Sequence, residues 1–374
     1  MASVRKRTWI GPSGEAKIAW VMDYTDNQGD RQRKHFATKK AADAFRVNIE
    51  SQLQSGIYRP DASKLMLKQI CESFLAHCEG RYQRDERMTR KSLVVYRGHI
   101  HKHILHPEHG IGAWKLSQLT ARAVGEFRDR IRTSGVTVAT ARKILATLHA
   151  VLEHAISQDW VAANAAHGIK VIGPRAERSE KIVPPSKEDM RRAIDAAGEE
   201  LRFMLIFAAS TGARASEQWA ARWQDVNLDK GELSISRRVD AYGDEGSPKS
   251  AAGVRAVPLS AQLVSALRAW KIKSNFSKPN DLIFANRQGG HIGHDNLIKR
   301  HFLPLFDRLT EKRFNWHGLR HFAISCWIEA GMTPKTVQTF AGHSSLQITM
   351  DRYGHLFPSD DHKKAMDQIA KGLF

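Results

Sequence analysis

Short runs of alternating apolar and polar residues, separated by turn-forming residues, open the chain. The runs cover residues 9–10, 18–24 and 31–36, and turn residues rich in Gly, Pro, Asn and Asp separate them at 11–14 and 27–30. Alternation bounded by such turns is typical of β-strands joined by hairpins. The first segment therefore predicts a three-stranded antiparallel sheet.

A helix is predicted directly after this sheet, over residues 39–54. Thr38 is a preferred N-cap residue, and Gly56 stops the pattern. The predicted apolar face consists of Ala41, Ala44, Phe45 and Ile49. A small basic sheet backed by one helix can lay a strand face in a DNA groove. The alternative for this module is a small protein-binding or stabilising role.

Apolar residues at helical spacing continue through residues 61–172. Four groups of them predict four helices packed as a bundle. The groups are Leu67, Ile70, Phe74 and Leu75; Val95, Ile100 and Ile104; Val124, Phe127 and Ile131; and Ala141, Ile144, Leu145, Leu148, Val151, Leu152 and Ala155. The polar faces of these helices carry arginines and lysines, which form a candidate surface for phosphates.

A polar, proline-bearing stretch then leads to a last segment that is again mostly helical. Ser186 is a candidate N-cap, and a strand pair is predicted at residues 232–237 and 256–259. The expected fold is multidomain and mainly α. Its parts are a small N-terminal three-stranded sheet plus helix (1–58), a helical bundle (61–172), a linker (173–185) and a mostly α domain with a small β-sheet (186–374).

Composition adds an expected partner to this picture. The 374 residues exceed one ordinary core, and 58 Lys and Arg against 39 Asp and Glu give a formal net charge of +19. Such a charge favours a polyanion through counterion release, so nucleic acid is the expected partner, with a merely soluble basic protein as the alternative. Three cysteines are too few for a disulfide framework or a zinc site, and no apolar run approaches the length of a membrane span. We expect a cytoplasmic protein with no membrane association.

The last sixty residues concentrate the candidate chemistry. They contain His317, Arg320, His343 and Tyr353, and Arg214 stands a hundred residues earlier at a predicted helix start. An arginine donates two parallel hydrogen bonds to phosphate and stays charged, while a histidine transfers protons near neutral pH. A tyrosine phenol can attack phosphorus and store the bond energy as a phosphotyrosine. The set predicts an enzyme that cuts and rejoins DNA without ATP.

Two further residues are assigned supporting roles. Glu217, three residues after Arg214, is predicted to orient its guanidinium. Lys249 lies in a loop between strands, from which its ammonium can protonate the 5′ oxygen as it leaves. Lys230 and Arg255 are alternatives for that lysine.

Neither a metal nor a cofactor is expected. The nearest candidates, His99, His101 and His103, are two residues apart on a helix and point in different directions. His317 and His321 have the spacing of zinc-binding helices, but Gly318 stands where a metalloprotease needs glutamate, and no third ligand is evident.

The order of the site residues resembles the tyrosine recombinase (phage integrase) family. That family's pattern runs arginine, lysine, His-x-x-Arg, His or Trp, and tyrosine. Every position has a match here: Arg214, Lys249, His317-Gly318-Leu319-Arg320, His343 and Tyr353. Residues 61–172 are similar to the family's SAM-like core-binding domain. Residues 1–58 are similar to the arm-binding domain of integrases of temperate phages and integrative elements.

The resemblance implies a site-specific recombinase, bacterial or phage-encoded, that integrates or excises a mobile element through a 3′-phosphotyrosine. It also implies four protomers on double-stranded DNA with core and arm-type sites, a Holliday junction, and accessory DNA-bending proteins as further candidate partners. The tail 361–374 looks like the segment that docks on a neighbouring protomer, although it could pack in its own domain. Two alternatives stay open: a type IB topoisomerase, which the N-terminal module disfavours, and a non-catalytic DNA-binding regulator, which the complete site disfavours.

Overall fold

A computed structural model describes residues 3–10, 12, 15–26, 29–174, 182–248, 250–309, 313–357 and 362–373. Backbone contacts divide the chain into two compact units, Met1–Ala176 and Glu177–Phe374. The four-part division drawn from the sequence is finer than this and stays a prediction.

The first unit opens with the predicted antiparallel sheet, which is confirmed. Its strands are β1 (Ser3–Ile10), β2 (Ala16–Thr25) and β3 (Arg31–Phe36), in the order β1-β2-β3. β1 begins six residues before the predicted run at 9–10. Its first half carries basic residues on both faces, which hide the alternation that identifies a strand.

The helix α1 (Lys39–Gln54) follows β3, and the Thr38 side chain accepts a hydrogen bond from the Ala41 amide. Its buried residues are Ala42 and Ile49, whereas Ala41 and Ala44 are exposed. The prediction is confirmed for Phe45 and Ile49, which pack in the core with Met22 and Tyr24, and was wrong for Ala41 and Ala44. Phe45 and Ile49 decide which side of the helix packs on the sheet, because an alanine buries too little surface to compete with them.

The exposed face of the sheet is cationic. Alternate residues of a strand point to opposite faces, and Met22 and Tyr24 pack towards α1. The opposite face carries Arg5, Arg7, Lys17, Arg31 and Arg33, all of them exposed. Among these cations lies Asp23, which pairs with Arg5 at 2.9 Å and with Arg33 at 2.6 Å.

The predicted helical bundle is also confirmed in the first unit. Its helices are α2 (Leu67–Gln83), α3 (Arg90–His99), α4 (Ala121–Thr133) and α5 (Val138–Ser157), and α3 continues as a π-helical turn over Ile100–Ile104. Thr89, Thr120 and Thr137 cap three of them through side-chain hydrogen bonds. Val95, predicted in the core, is 41% exposed, and Leu93 is buried in its place. The π turn after α3 changes the helical period on which the prediction of Val95 relied.

The second unit contains a small sheet and a hairpin. Its strands are β4 (Val226–Asn227), β5 (Glu232–Ile235), β6 (Arg238–Val239), β7 (Glu245–Gly246) and β8 (Arg255–Pro258). The sheet order is β4-β5-β8, and β6 pairs with β7. The strand pair predicted from the sequence corresponds to β5 and β8, whereas strands of two residues carry no periodicity and were not predicted.

Helices make up most of the second unit. They are α6 (Lys187–Ala196), α7 (Glu199–Thr211), α8 (Ala215–Gln218), α9 (Ala261–Lys273), α10 (His294–Leu297), α11 (Leu303–Leu309), α12 (Trp316–Glu329), α13 (Pro334–Ala341), α14 (Leu346–Tyr353) and α15 (His362–Leu373). A π-helical segment, Ile298–Phe302, joins α10 to α11. A core that includes Phe203, Phe207, Trp219 and Trp316 packs α7 against α12. Within the described ranges, no helix is long and apolar enough to cross a membrane.

Two of these helices end on glycines in the left-handed conformation. Gly212 follows α7 with φ +58°, and Gly342 follows α13 with φ +62°. Glycine reaches this conformation without steric cost, and it leaves the last carbonyls of each helix pointing outwards. A Cβ at Gly342 would lie 2.9 Å from both the Ala252 carbonyl oxygen and the Arg255 Nη1.

This crowding predicts the result of Gly342→Ala. We expect the free energy of unfolding of the second unit to fall by about 2–4 kcal/mol, because the left-handed strain is added to a backbone clash. The matched control is Gly331→Ala, at φ +81° with nothing within 4 Å of the added Cβ, which should lose only about 1–2 kcal/mol. Urea unfolding of both variants checks this, and equal losses would contradict the close approach at Gly342.

Candidate active site

Arg214 is held at the start of α8 by Glu217. The Arg214 amide donates to Glu217 Oε2 at 2.9 Å, and Nη1 donates to Glu217 Oε1 at 2.7 Å. Nη2 donates to the Gly342 carbonyl at 3.1 Å. The Arg214 side chain is 37% exposed. Its guanidinium is therefore held in place by Glu217 and Gly342 and remains partly accessible to solvent, as a phosphate-binding arginine needs to be.

Glu217 is also the counter-ion of a second arginine. Arg255, the first residue of β8, donates from Nη2 to Glu217 Oε2 at 2.8 Å, and the two side chains are 2% and 3% exposed. Burial on its own raises the pKa of Glu217, but the hydrogen bond and charge of Arg255, with Arg214, outweigh it and lower the pKa to about 2. Glu217 is thus ionised and balances two guanidinium groups.

Arg320 lies on α12 and is almost fully buried at 2% exposure. Nη1 donates to the Gly212 carbonyl at 2.7 Å, and Nη2 donates to the Ala341 carbonyl. Both acceptors belong to helix C-termini, where the helix dipole favours a cation. Burial, with Arg214 and Arg255 nearby, lowers the pKa of Arg320 to about 9, which leaves it charged at neutral pH.

Tyr353 is the last residue of α14 and is fully buried. Its Oη lies 2.6 Å from His321 Nδ1. Its ring is stacked with that of His343, with centroids 6.1 Å apart and an interplanar angle of 15°. Burial raises the pKa of the phenol, and the charges of Arg320, Arg352 and Arg214 oppose that rise without cancelling it. Without DNA the phenol is protonated.

Three histidines around Tyr353 are neutral. Burial lowers the pKa of His317 and of His321 to about 4 and that of His343 to about 3, and nearby arginine charges add to each effect. His343 Nδ1 lies 2.9 Å from Thr349 Oγ1, and this contact orients the His343 ring. The rings of His317 and His321 meet edge to face at 4.6 Å.

Most of the predicted site residues come together. Arg214, Glu217, Arg320, His343 and Tyr353 are joined directly or through the Gly342 turn. His317 joins them through His321.

Lys249 lies outside the described residues and stays a prediction. Neither alternative for it occupies a suitable position. Arg255 is buried against Glu217, and Lys230 precedes β5 at the end where Glu232 pairs with Pro258, away from the Arg255 end of the same strand pair.

Two residues at the site were not assigned a role from the sequence. His321 was considered only as a zinc ligand, and Arg255 only as an alternative to Lys249. The position of His321, one turn after His317, was a signal that both rings face the same side of one helix. Nothing in the sequence indicated that Arg255 pairs with Glu217. Among the described residues, no group of three or more His, Cys, Asp or Glu side chains could hold a metal ion.

The arrangement is suited to a phosphate diester. Two fixed guanidinium groups and neutral imidazoles offer hydrogen-bond donors, and a single carboxylate leaves the site with excess positive charge. Donors that are already oriented stabilise negative charge as it develops on phosphate oxygens, because they need no rearrangement during the reaction. A phosphate bound by Arg214, Arg320 and His343 would lie beside Tyr353.

Comparison with known protein families matches residues 185–360 to the phage integrase family. A XerC-like tyrosine recombinase of Caldanaerobacter subterraneus is 25% identical, with 95% of this chain and 96% of that protein covered. The ICEBs1 integrase of Bacillus subtilis is 21% identical, with 94% of this chain and 95% of that protein covered. Both similarities extend over nearly the whole chain, well beyond the residues of the site.

Solved structures show a similar fold. The Tn1549 transposon integrase in complex with a circular intermediate DNA has a TM-score of 0.66 at 16% identity, covering 82% of this chain and 99% of that chain. A lambda integrase tetramer bound to a Holliday junction has a TM-score of 0.59 at 16% identity, covering 94% of each chain. The mainly α architecture with two small sheets is thus shared with these proteins.

The ion pairs at Glu217 predict the effect of Glu217→Gln on stability. The variant leaves two buried or half-buried guanidiniums without a counter-charge, so the free energy of unfolding should fall by about 3–5 kcal/mol at neutral pH. Because the folded-state pKa is lowered, the wild-type contribution is complete above about pH 4.5 and is lost as the pH falls towards 2. The free energy of unfolding of the Glu217→Gln variant should lack this dependence on pH.

The control for this experiment is Glu199→Gln, which breaks the exposed pair with Lys273 and should leave the free energy of unfolding almost unchanged. Urea unfolding as a function of pH measures both variants. A loss at Glu217 no larger than that at Glu199 would contradict the role of Glu217 as the shared counter-charge.

Proposed function

The chain belongs to the phage integrase family of tyrosine recombinases, and from this premise we propose that it is a site-specific DNA recombinase that integrates or excises a mobile element. The observation that carries the proposal is the meeting of Arg214, Arg320 and His343 around the phenol of Tyr353. Type IB relaxation and a non-catalytic regulatory role are less well supported, because the relatives that match almost the whole chain are recombinases and integrases.

In the proposed reaction, Arg214 and Arg320 bind the nonbridging oxygens of the scissile phosphate. Their guanidiniums are anchored by Glu217 and by the carbonyls of Gly212, Ala341 and Gly342. The remaining N–H groups of the two guanidiniums donate hydrogen bonds to the phosphate oxygens. These contacts strengthen as negative charge builds up in the transition state, so they act on the rate more than on ground-state binding.

Tyr353 Oη then forms a bond to phosphorus, and the bond from phosphorus to the 5′ oxygen breaks. Lys249 is the proposed donor of the proton that the 5′ oxygen takes up. The product is a 3′-phosphotyrosine that retains the energy of the broken bond, so a 5′ hydroxyl can reverse the step without ATP. Because Tyr353 is fully buried in the DNA-free chain, DNA binding has to uncover Oη before attack.

The domain assignment forms part of the proposal. Residues 186–374 supply the catalytic domain and residues 61–172 a core-binding domain. Residues 1–58 supply an arm-binding domain whose cationic sheet face, carrying Arg5, Arg7, Lys17, Arg31 and Arg33, lies against DNA. The charge of +19 supports this role, since each phosphate contact releases counterions.

The assembly and location follow from the same relatives. We propose double-stranded attachment-site DNA as the partner and a tetramer on a Holliday junction as the working form, by analogy with the lambda integrase tetramer bound to such a junction. Accessory DNA-bending proteins are further candidate partners. The place of action is the bacterial cytoplasm, on the nucleoid.

Tyr353→Phe tests the nucleophile. The variant should lose the covalent adduct with suicide-nicked attachment-site DNA while it binds that DNA with wild-type affinity, because only one oxygen atom is removed. Denaturing gels of protein and labelled DNA measure the adduct, and a gel shift measures binding. The matched control is Tyr242→Phe, on the exposed loop between β6 and β7, which should keep the adduct. Adduct formation by Tyr353→Phe would show that another residue is the nucleophile.

The cationic sheet face predicts a defect limited to arm-type DNA. Arg7→Ala combined with Arg31→Ala should weaken binding to duplexes from the ends of the element about 10–100-fold at moderate salt and reduce the salt slope by about two. Cleavage of core-site suicide DNA should be unchanged. The control removes the same charge from α1, with Lys39→Ala and Lys40→Ala. Equal weakening by the two double variants would mean that the sheet face has no particular part in binding.

A further inference from the structure

Tyr353 has a hydrogen-bond partner that the family pattern of arginine, lysine, His-x-x-Arg, His or Trp and tyrosine does not include. His321 Nδ1 lies 2.6 Å from Tyr353 Oη. We propose that His321 accepts the phenol proton of Tyr353 during DNA cleavage and returns it during rejoining. This proposal rests on the proposed function, since it concerns the same tyrosine and the same reaction.

The position of His321 is fixed from two sides. The preceding residue, Arg320, is anchored to Gly212 and Ala341, which fixes the backbone of this turn of α12. The His317 ring packs edge to face against the His321 ring at 4.6 Å. The imidazole therefore holds a defined orientation towards the phenol, as a proton acceptor requires.

The elements that carry the two residues are also packed together. Ile324 and Ile328 of α12 form one buried cluster with Val337 and Ala341 of α13 and with Tyr353 at the end of α14. The distance between His321 and Tyr353 is thus set by a hydrophobic core. An exposed side chain meeting its partner by chance would lack this support.

The geometry separates the tasks of His321 and His317. In the DNA-free chain the phenol oxygen has its hydrogen bond with His321, and His317 contacts the His321 ring rather than the phenol. His317 can therefore hydrogen-bond a phosphate oxygen, while His321 accepts the proton of the Tyr353 phenol. With Nδ1 as acceptor, the His321 proton resides on Nε2.

Tyr353 Oη forms its bond to phosphorus as the phenol proton moves to His321 Nδ1, and the bond from phosphorus to the 5′ oxygen breaks as that oxygen takes a proton from a separate donor. In rejoining, a 5′ hydroxyl attacks the phosphotyrosine and gives up its proton to that same donor. The departing Tyr353 oxygen regains its own proton from His321. No oxidant, metal or further reactant takes part.

The charges around the pair keep the proton on the tyrosine until DNA arrives. Burial lowers the pKa of His321 to about 4, with Arg320 and Arg352 adding to the effect, and burial raises the pKa of Tyr353. His317, His343 and Arg214 also face the pair, and none of them supplies negative charge. A bound phosphate supplies it, which favours an imidazolium, and the phenol oxygen loses its basicity as it bonds to phosphorus. Proton transfer is therefore tied to attack on DNA.

His321→Asn tests the role, since the asparagine carboxamide keeps a hydrogen-bonding group near the position of Nδ1 but does not accept a proton. We expect single-turnover cleavage of suicide-nicked DNA to be about 10²–10⁴-fold slower at neutral pH. Below the pKa of Arg320 of about 9, the logarithm of the rate of the variant should rise by about one per pH unit as the phenol ionises without help, while the wild-type rate changes little. The matched control His301→Asn, at an exposed position of the same unit, should cleave at the wild-type rate.

Two modified DNAs locate the defect on the tyrosine side of the reaction. DNA with a 5′-bridging sulfur has a leaving group that needs no proton, so it should not rescue His321→Asn, whereas it should rescue Lys249→Ala. DNA with a 3′-p-nitrophenyl phosphate replaces the phosphotyrosine by a leaving group that needs no proton. His321→Asn should join this DNA to a 5′ hydroxyl within about threefold of the wild-type rate, which also shows that the variant is folded and that its arginines still act.

Several results would overturn the proposal. They are near-normal cleavage by His321→Asn, a pH profile parallel to that of the wild type, rescue by the bridging sulfur, or loss of joining with the nitrophenyl DNA. The last result would make His321 a structural residue. If the wild-type protein itself forms no adduct with DNA, the proposed function fails together with this one. A normal wild-type adduct with an unaffected His321→Asn variant refutes the role of His321 alone.

Discussion

The site depends on the burial of one guanidinium, that of Arg320, between the ends of two helices. A buried cation without partners would be strongly unfavourable, and here the carbonyls at the C-termini of α7 and α13 supply them. Both helices end on left-handed glycines, Gly212 and Gly342. The same Gly342 turn accepts a hydrogen bond from Arg214, so the two arginines share one support. A shift of that turn would therefore move both guanidinium groups together.

Charge is distributed unevenly around this support. Glu217 balances Arg214 and Arg255, while the hydrogen-bond acceptors of Arg320 among the described residues are backbone carbonyls. Burial is the main reason why the surrounding histidines are neutral, and the excess positive charge adds to it, since each protonated histidine would be a further cation in a partly desolvated site. A DNA phosphate relieves this excess. The DNA-free chain thus holds an ordered set of donors, a protonated phenol that is fully covered, and a neutral imidazole beside it.

The candidate functional residues lie outside the hydrophobic core in the first unit and partly inside it in the second. In the first unit, the cationic residues stand on the sheet face opposite the small core around Met22, Tyr24 and Ile49, so folding that core exposes them as one surface. In the second unit, the core around Ile324 and Ile328 includes Tyr353 itself. The proposed nucleophile is therefore part of the hydrophobic packing.

The sequence by itself determined most of the elements and predicted the candidate reacting groups. Hydrophobic periodicity and capping residues such as Thr38, Thr137 and Ser186 are local signals, so helix positions and the three-stranded sheet could be predicted from them. The residue types of Arg214, Arg320 and Tyr353, and the resemblance of their order to the tyrosine recombinase pattern, indicated the chemistry.

Only the tertiary structure decided which groups meet. The pairing of Glu217 with Arg255, and of Tyr353 with His321, joins residues 38 and 32 positions apart on different elements. The contact between Tyr353 and His321 arises because α12 and α14 both pack against α13. The pair of Glu217 and Arg255 joins α8 to β8. The same holds for Ala41, Ala44 and Val95, which were misplaced because the side that a helix buries depends on the neighbour it packs against.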